Sequence, residues 1–148
     1  MSRAEKVTVV YFFSIPRKAI AFAFLRMAID RGRARKFTGI SFAKLLGTGS
    51  GKTFTPRDAD MGRWGLLVVI DRSQLDSFDK SQIISGWRKK STSEFRVILS
   101  PISSHGLWSK SNPFDFTTTL SKPDAQIAAI TRARIKWMKN FIFWKSVP

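Results

Sequence analysis

Apolar positions along this chain follow two rhythms, and the order of those rhythms predicts a fold. Lys6–Ser14 (KVTVVYFFS) is rich in β-branched and aromatic residues and apolar almost throughout, so it reads as a central strand, ended by Pro16. Arg17–Lys36 has helical spacing. Ile20, Phe24 and Met27 are expected on its core side, with Phe22 and Ile29 beside them. Arg31, Arg33, Arg35 and Lys36 suit the negative end of its dipole. Phe37–Leu46 (FTGISFAKLL) reads as a second strand, and Gly47–Asp60 as a loop rich in Gly and Thr with Pro56 inside it. Arg63–Asp71 (RWGLLVVID) reads as a buried third strand. Arg72–Lys89 reads as a second helix with Leu75, Phe78, Ile83 and Trp87 on its apolar side, and Glu94–Ser100 (EFRVILS) as a fourth strand.

The rest is less regular. Pro101–Pro123 holds His105, Gly106, Trp108, Pro113 and Phe114 and is long enough to be a binding loop or lid. Ile127–Ile135 (IAAITRARI) reads as a short extra strand, and Trp137–Val147 as an aromatic, basic C-terminal helix. The order β-α-β-β-α-β predicts a ferredoxin-like α+β fold: one antiparallel sheet, helices on one face, in a single domain over residues 1–148. The other face should be unusually apolar.

Charge narrows the class of partner. Lys and Arg number 26 and Asp and Glu 10, for a net charge of +16. Such a chain favours anionic partners: nucleic acid, acidic lipid, or a ligand bearing phosphate or carboxylate. RNA-recognition modules share the element order, but Arg63–Ile70 lacks their Gly- and Phe-rich third-strand pattern, which disfavours nucleic acid. With no Cys there is no Fe–S cluster, thiolate nucleophile or Cys-bearing zinc site, and with one His there is no two-His iron triad. The longest apolar-looking stretch, Ala19–Ile29, is interrupted by Arg26 and is too short to span a bilayer. The expectation is a cytoplasmic protein with peripheral membrane contact.

Candidate chemistry is sparse. Gly47–Thr53 (GTGSGKT) imitates a phosphate loop, but Leu46 stands where the first Gly should be and Pro56 follows in place of a helix start. It reads either as a glycine-rich strand connection or as a loop whose amides, with Lys44 and Lys52, line a ligand cavity. His105 is either a hydrogen-bonding loop residue or an iron ligand. In Thr131–Ile135, period two puts Arg132 and Arg134 on one face, where they either meet solvent or present two guanidiniums to an anion. The tail helix separates Ile135, Trp137, Met138, Phe141, Ile142 and Trp144 from Lys136, Lys139 and Asn140, which suits packing or an interfacial position.

Four stretches taken together resemble one family. They are Phe42–Asp71 (FAKLLGTGSGKTFTPRDADMGRWGLLVVID), Ser100–Phe114 (SPISSHGLWSKSNPF), Ile130–Ile135 (ITRARI) and Phe143–Pro148 (FWKSVP). They resemble the spheroidene monooxygenase family, the acyclic carotenoid ketolases, over its N-terminal half. The resemblance implies insertion of oxygen from O2 into an acyclic carotenoid to form a keto group. It also implies an external electron donor, a haem, and a fold of the dimeric α/β-barrel type. In that fold a second ferredoxin-like half, or a second copy in a homodimer, closes the barrel. Under this resemblance Lys44, Gly47, Gly49, Phe54, Arg57, Trp64, Trp108, Arg132 and Arg134 are the candidates for binding cofactor or substrate. His105, with Tyr11 or a Met as alternatives, is the candidate haem-iron ligand. The competing reading is a non-catalytic α/β-barrel domain that binds a hydrophobic ligand or a partner subunit.

Overall fold

The computed structural model describes residues 5–50, 56–108, 110–114 and 126–130. Four strands, β1 (Lys6–Ser14), β2 (Ile40–Gly49), β3 (Ala59–Asp71) and β4 (Ser93–Leu99), form one sheet in the order β2-β3-β1-β4. Every neighbouring pair is antiparallel. The helices are α1 (Ile20–Lys36), α2 (Leu75–Asp79) and α3 (Gln82–Arg88). This is the ferredoxin-like arrangement that the element order predicts. β1 lies between β3 and β4, as its continuous apolar run requires, with Val7–Tyr11 buried on both faces of the sheet.

Alternation along the strands divides the sheet into two faces. Val7, Val9, Tyr11 and Phe13 of β1 join Ala43 of β2 and Trp64, Leu66, Val68 and Ile70 of β3 under the helices. From α2 and α3, Leu75, Phe78, Ile83, Ile84 and Trp87 complete this core. Phe13 stacks on Trp87 with ring centroids 5.6 Å apart.

Several expected boundaries and core positions shift. α1 turns Ala23, Asp30 and Ala34 fully inward, with Ile20 and Met27 partly buried, while Phe24 and Ile29 are 52% and 41% exposed. Small side chains at this spacing let the helix approach the sheet, and the larger apolar residues are left to its flanks and outer side. The second helix is two helices: Ser81 breaks it, its hydroxyl accepting from the Ile84 amide as an N-cap. β2 starts at Ile40, after a turn in which Gly39 has φ +83°; a Cβ there would stand 2.7 Å from Cγ of Gln74. β2 then continues to Gly49 and β3 begins at Ala59, so both ends of the expected Gly47–Asp60 loop are strand, with a register shift between Gly47 and Thr48. Residues 127–130 belong to no strand. The remainder of the expected Ile127–Ile135 strand and the Trp137–Val147 helix lie outside the described residues. Among the described residues no helix is long and apolar enough to cross a membrane.

Candidate functional site

The face turned away from the helices is the candidate site. Val10, Phe42, Leu67 and Val69 are buried on it, with Phe12, Leu46, Val97 and Leu99 partly buried around them. No helix covers it. At one end the chain that leaves β4 folds back across the sheet. Trp108 packs edge-on against Phe42 at 6.3 Å, and Phe114 packs edge-on against Trp108 at 5.3 Å. A small closed turn holds this aromatic pair: the Trp108 amide donates to the Ser111 carbonyl at 2.7 Å, and the Ser111 amide donates back at 3.2 Å. Positive φ at Gly106 (77°) and Lys110 (72°) lets the chain reverse there.

Among the described residues the opposite end of the same face is open. A concavity of about 590 Å³ is lined by Phe12, Ser14, Thr48, Arg63, Ser93, Glu94 and Phe95. That volume lies within the range of small-molecule pockets. Phe12 and Phe95 are cross-strand partners with rings 6.4 Å apart, and Phe95 is 59% exposed. Thr48 donates to the Arg63 carbonyl at 2.8 Å and fixes the hairpin at the rim. The Glu94 carboxylate accepts two bonds from Arg88, at 2.7 and 2.9 Å, so its charge is already matched. The lining is therefore an aromatic floor with a polar rim. Two further hydroxyls, of Thr8 and Ser104, are buried without a hydrogen-bond partner among the described residues. Thr8 belongs to the covered end of this face, where it pairs with Val69 and Leu99.

The ionisable groups that are tightly organised lie on the other side of the sheet. The Tyr11 hydroxyl donates to Asp79 at 2.9 Å, and Arg96 donates to both oxygens of the same carboxylate, at 3.1 and 2.6 Å. Burial, reinforced by the Asp79 charge, pushes the Tyr11 phenol far above its ordinary value. Asp30, fully buried, accepts from Trp87 Nε1 at 3.0 Å and pairs with Arg26 at 2.7 Å. Burial raises its pKa against the opposing pull of Arg26 and Trp87.

The sequence-based candidates separate accordingly. Trp108 packs on the candidate face, and Lys44, paired with Leu67, belongs to its covered end. Gly47 and Gly49 lie in the β2 end of the hairpin, not in a free loop. Arg57 is exposed in the turn Pro56–Asp58. Trp64 is on the helix side, its Nε1 donating to the Met61 carbonyl at 2.8 Å, so it does not meet Trp108. His105 is exposed in the segment after β4. Phe54, Arg132 and Arg134 lie outside the described residues. Phe12, Ser14, Thr48, Arg63 and Phe95, which line the concavity, were not singled out by sequence reasoning. Strand period would have found Phe12 and Ser14, since they share a phase opposite to Tyr11 and Phe13.

Haem finds no built ligand set among these residues. Tyr11 is committed to Asp79 on the helix side and His105 is exposed in the segment after β4.

No protein-family model matches the chain. Its sequence is similar to the spheroidene monooxygenase of Rhodobacter capsulatus, at 30% identity over 127 residues, 83% of this chain and 52% of that protein. It is similar to the spheroidene monooxygenase of Cereibacter sphaeroides at 32% identity over 109 residues, 72% of this chain and 33% of that protein. The chain thus spans about half the length of the first of these relatives and a third of the second. A putative antibiotic biosynthesis monooxygenase from Nitrosomonas europaea shares the fold, with a TM-score of 0.53 at 11% identity over 72% of this chain and 99% of that one.

Proposed function

We propose that this chain, a relative of the spheroidene monooxygenases, forms the substrate-binding half of a monooxygenase acting on a long apolar polyene, an acyclic carotenoid. The observation that carries the reading is the sheet face opposite α1, α2 and α3, aromatic along its length and, among the described residues, open at one end. An extended hydrocarbon has no groups to be recognised by charge. It needs a long apolar floor, flat aromatic contacts and a wall that excludes water. Val10, Leu67 and Val69 supply the floor, Trp108 and Phe114 the cover, and Phe12 and Phe95 the mouth.

Oxidation of a methylene to a ketone takes two successive insertions, consuming two O2 and four electrons and releasing three waters. An external donor must supply those electrons. The chain's own part is to orient the polyene and keep the reacting carbon dry. A second copy of the chain or a related half is the proposed cover for the exposed end at Phe95, since large apolar patches seldom stay bare.

The test is binding and turnover of spheroidene in detergent micelles, with a reductant and 18O2, by the full chain alone and by the chain mixed with the second half of a spheroidene monooxygenase. The expected result is saturable binding by the chain alone, weakened by Trp108→Ala, with little or no product, and a keto product carrying one 18O once the second half is present. Polyene binding with no oxygenated product even in the mixture favours the non-catalytic hydrophobic-ligand domain. Failure to bind the polyene at all removes both readings.

A further inference from the structure

The outward side of α1 carries a pattern that neither the core nor the candidate site uses. Between Lys18 and Arg31 every residue this segment exposes is apolar: Ala21, Phe24, Leu25, Ala28 and Ile29. They recur at i, i+3, i+4, i+7 and i+8, which is one continuous helical stripe. Leu25 is 59% exposed, more than Phe24 or Ile29. The one charged pair within this stretch is turned away: Arg26 reaches back to Asp30 and to the carbonyls of Gln82 and Ile83 at the start of α3. Gly86 makes room for that guanidinium, since a Cβ there would lie 2.6 Å from Arg26 Nη2. Cations frame both ends of the stripe. Arg17 and Lys18 precede it, Arg31, Arg33, Arg35 and Lys36 follow it, and all six are exposed. The helix has no carboxylate other than the buried Asp30.

We propose that this face of α1 docks on an anionic lipid surface, with Leu25 and its apolar neighbours entering the headgroup boundary and the flanking cations meeting lipid phosphates. Charge selects this occupant over the two protein alternatives. A second copy laid on the same face would set six cations against six. The chain's own tail, residues 131–148, adds five cations and no Asp or Glu, so it is equally mismatched. An apolar stripe with a cationic frame instead fits an interface that is hydrocarbon within and anionic at its surface. The proposal stands apart from the reaction proposed above. α1 covers the face of the sheet opposite to the candidate site, so lipid docking and the site do not compete for surface.

The absence of native Cys makes the test site-specific. The full chain carrying Leu25→Cys is labelled with an environment-sensitive fluorophore and mixed with vesicles of phosphatidylglycerol and phosphatidylcholine, or of phosphatidylcholine alone. The expected result is a blue shift with the anionic vesicles only, quenched by nitroxide lipids and reversed by salt. A label at Asp76→Cys, exposed on α2, should stay in water. In co-sedimentation without label, Leu25→Glu with Ile29→Glu should abolish binding. Arg31→Gln and Arg35→Gln should each weaken it about fivefold. Binding that leaves the fluorophore of the Leu25→Cys variant in water, or that survives the double Glu variant, overturns the proposal. So does self-association through Leu25 without lipid, or equal binding to neutral vesicles.

Discussion

The two faces of this sheet are built from the same strands and differ in what covers them. The helix side is closed by α1, α2 and α3, and its buried charges are matched: Asp30 with Arg26 and Trp87, Tyr11 and Arg96 with Asp79. Among the described residues the other side is closed at one end by an irregular segment resting on two aromatic rings and is open at the other. The first arrangement suits stability, since buried charge is tolerable only when matched. The second suits binding, since a surface with a light cover can exchange it for a ligand. A substitution on the helix side should therefore be felt in folding, and one on the other side in ligand affinity.

The sharpest contrast is expected at Asp30 and Trp87. Asp30→Ala would strand the Arg26 guanidinium, whose side chain is 12% exposed, inside the α1–α3 contact. Breaking a buried pair in this way costs about 3–5 kcal/mol. Trp87→Ala would remove a fully buried ring and the donor to Asp30, at about 3–5 kcal/mol. Urea unfolding of each variant measures both. A loss below about 1 kcal/mol in either would mean that the helix side is not the stabilising one.

The helix side was also the legible one. Leu75, Phe78, Ile83 and Trp87 announce themselves by size and spacing, and all four are buried. β1 matches its reading residue for residue. The error at α1 has a physical cause: Ala23 and Ala34 fill the close contact, and hydrophobic size drew the reading to Phe24 and Ile29 instead. The concavity was not legible because it is assembled from four strands distant in sequence, with each contributing one to three residues. No local motif marks such a place. Trp64 and Trp108 looked alike as aromatic candidates, yet strand phase puts one under the helices and loop geometry puts the other on the opposite face.

Next in size is the loop anchor. Trp108 is half-buried, so Trp108→Ala should cost about 2 kcal/mol in stability. It should also speed proteolysis between Pro101 and Phe114, because the segment loses its anchor on Phe42. If stability falls but cleavage there stays slow, contacts other than Trp108 hold the segment in place.

A smaller effect, distinguished by its pH dependence, belongs to Tyr11. Its folded-state pKa is raised above the unfolded value of about 10, so the protonated phenol is favoured in the native state. The contribution is complete below pH 10. Above it the unfolded chain loses the proton first and binds fewer protons than the native state, so stability falls as pH rises. Tyr11→Phe should cost about 1 kcal/mol at neutral pH through the lost hydrogen bond to Asp79. It should also flatten the alkaline decline seen in denaturation curves above pH 10. An unchanged alkaline slope would assign that decline to other groups.

The smallest expected change in stability is at Phe95, and it tests the other half of the contrast. This ring is 59% exposed on the edge strand, and its one described ring contact is a tilted approach to Phe12. Phe95→Ser should therefore shift stability by less than about 0.5 kcal/mol. Yet the ring lines the open end of the concavity, where an apolar ligand would bury what solvent now touches. Losing that burial should weaken binding of an acyclic polyene about tenfold, the equivalent of about 1.4 kcal/mol, near the lower end for covering an apolar side chain. Quenching of intrinsic tryptophan fluorescence by the polyene reads the affinity, and urea unfolding of the same sample reads the stability. A large stability loss would make Phe95 part of the core and erase the difference between the two faces. Unchanged affinity with unchanged stability would leave the faces distinct but remove the open one as the place where a hydrocarbon binds.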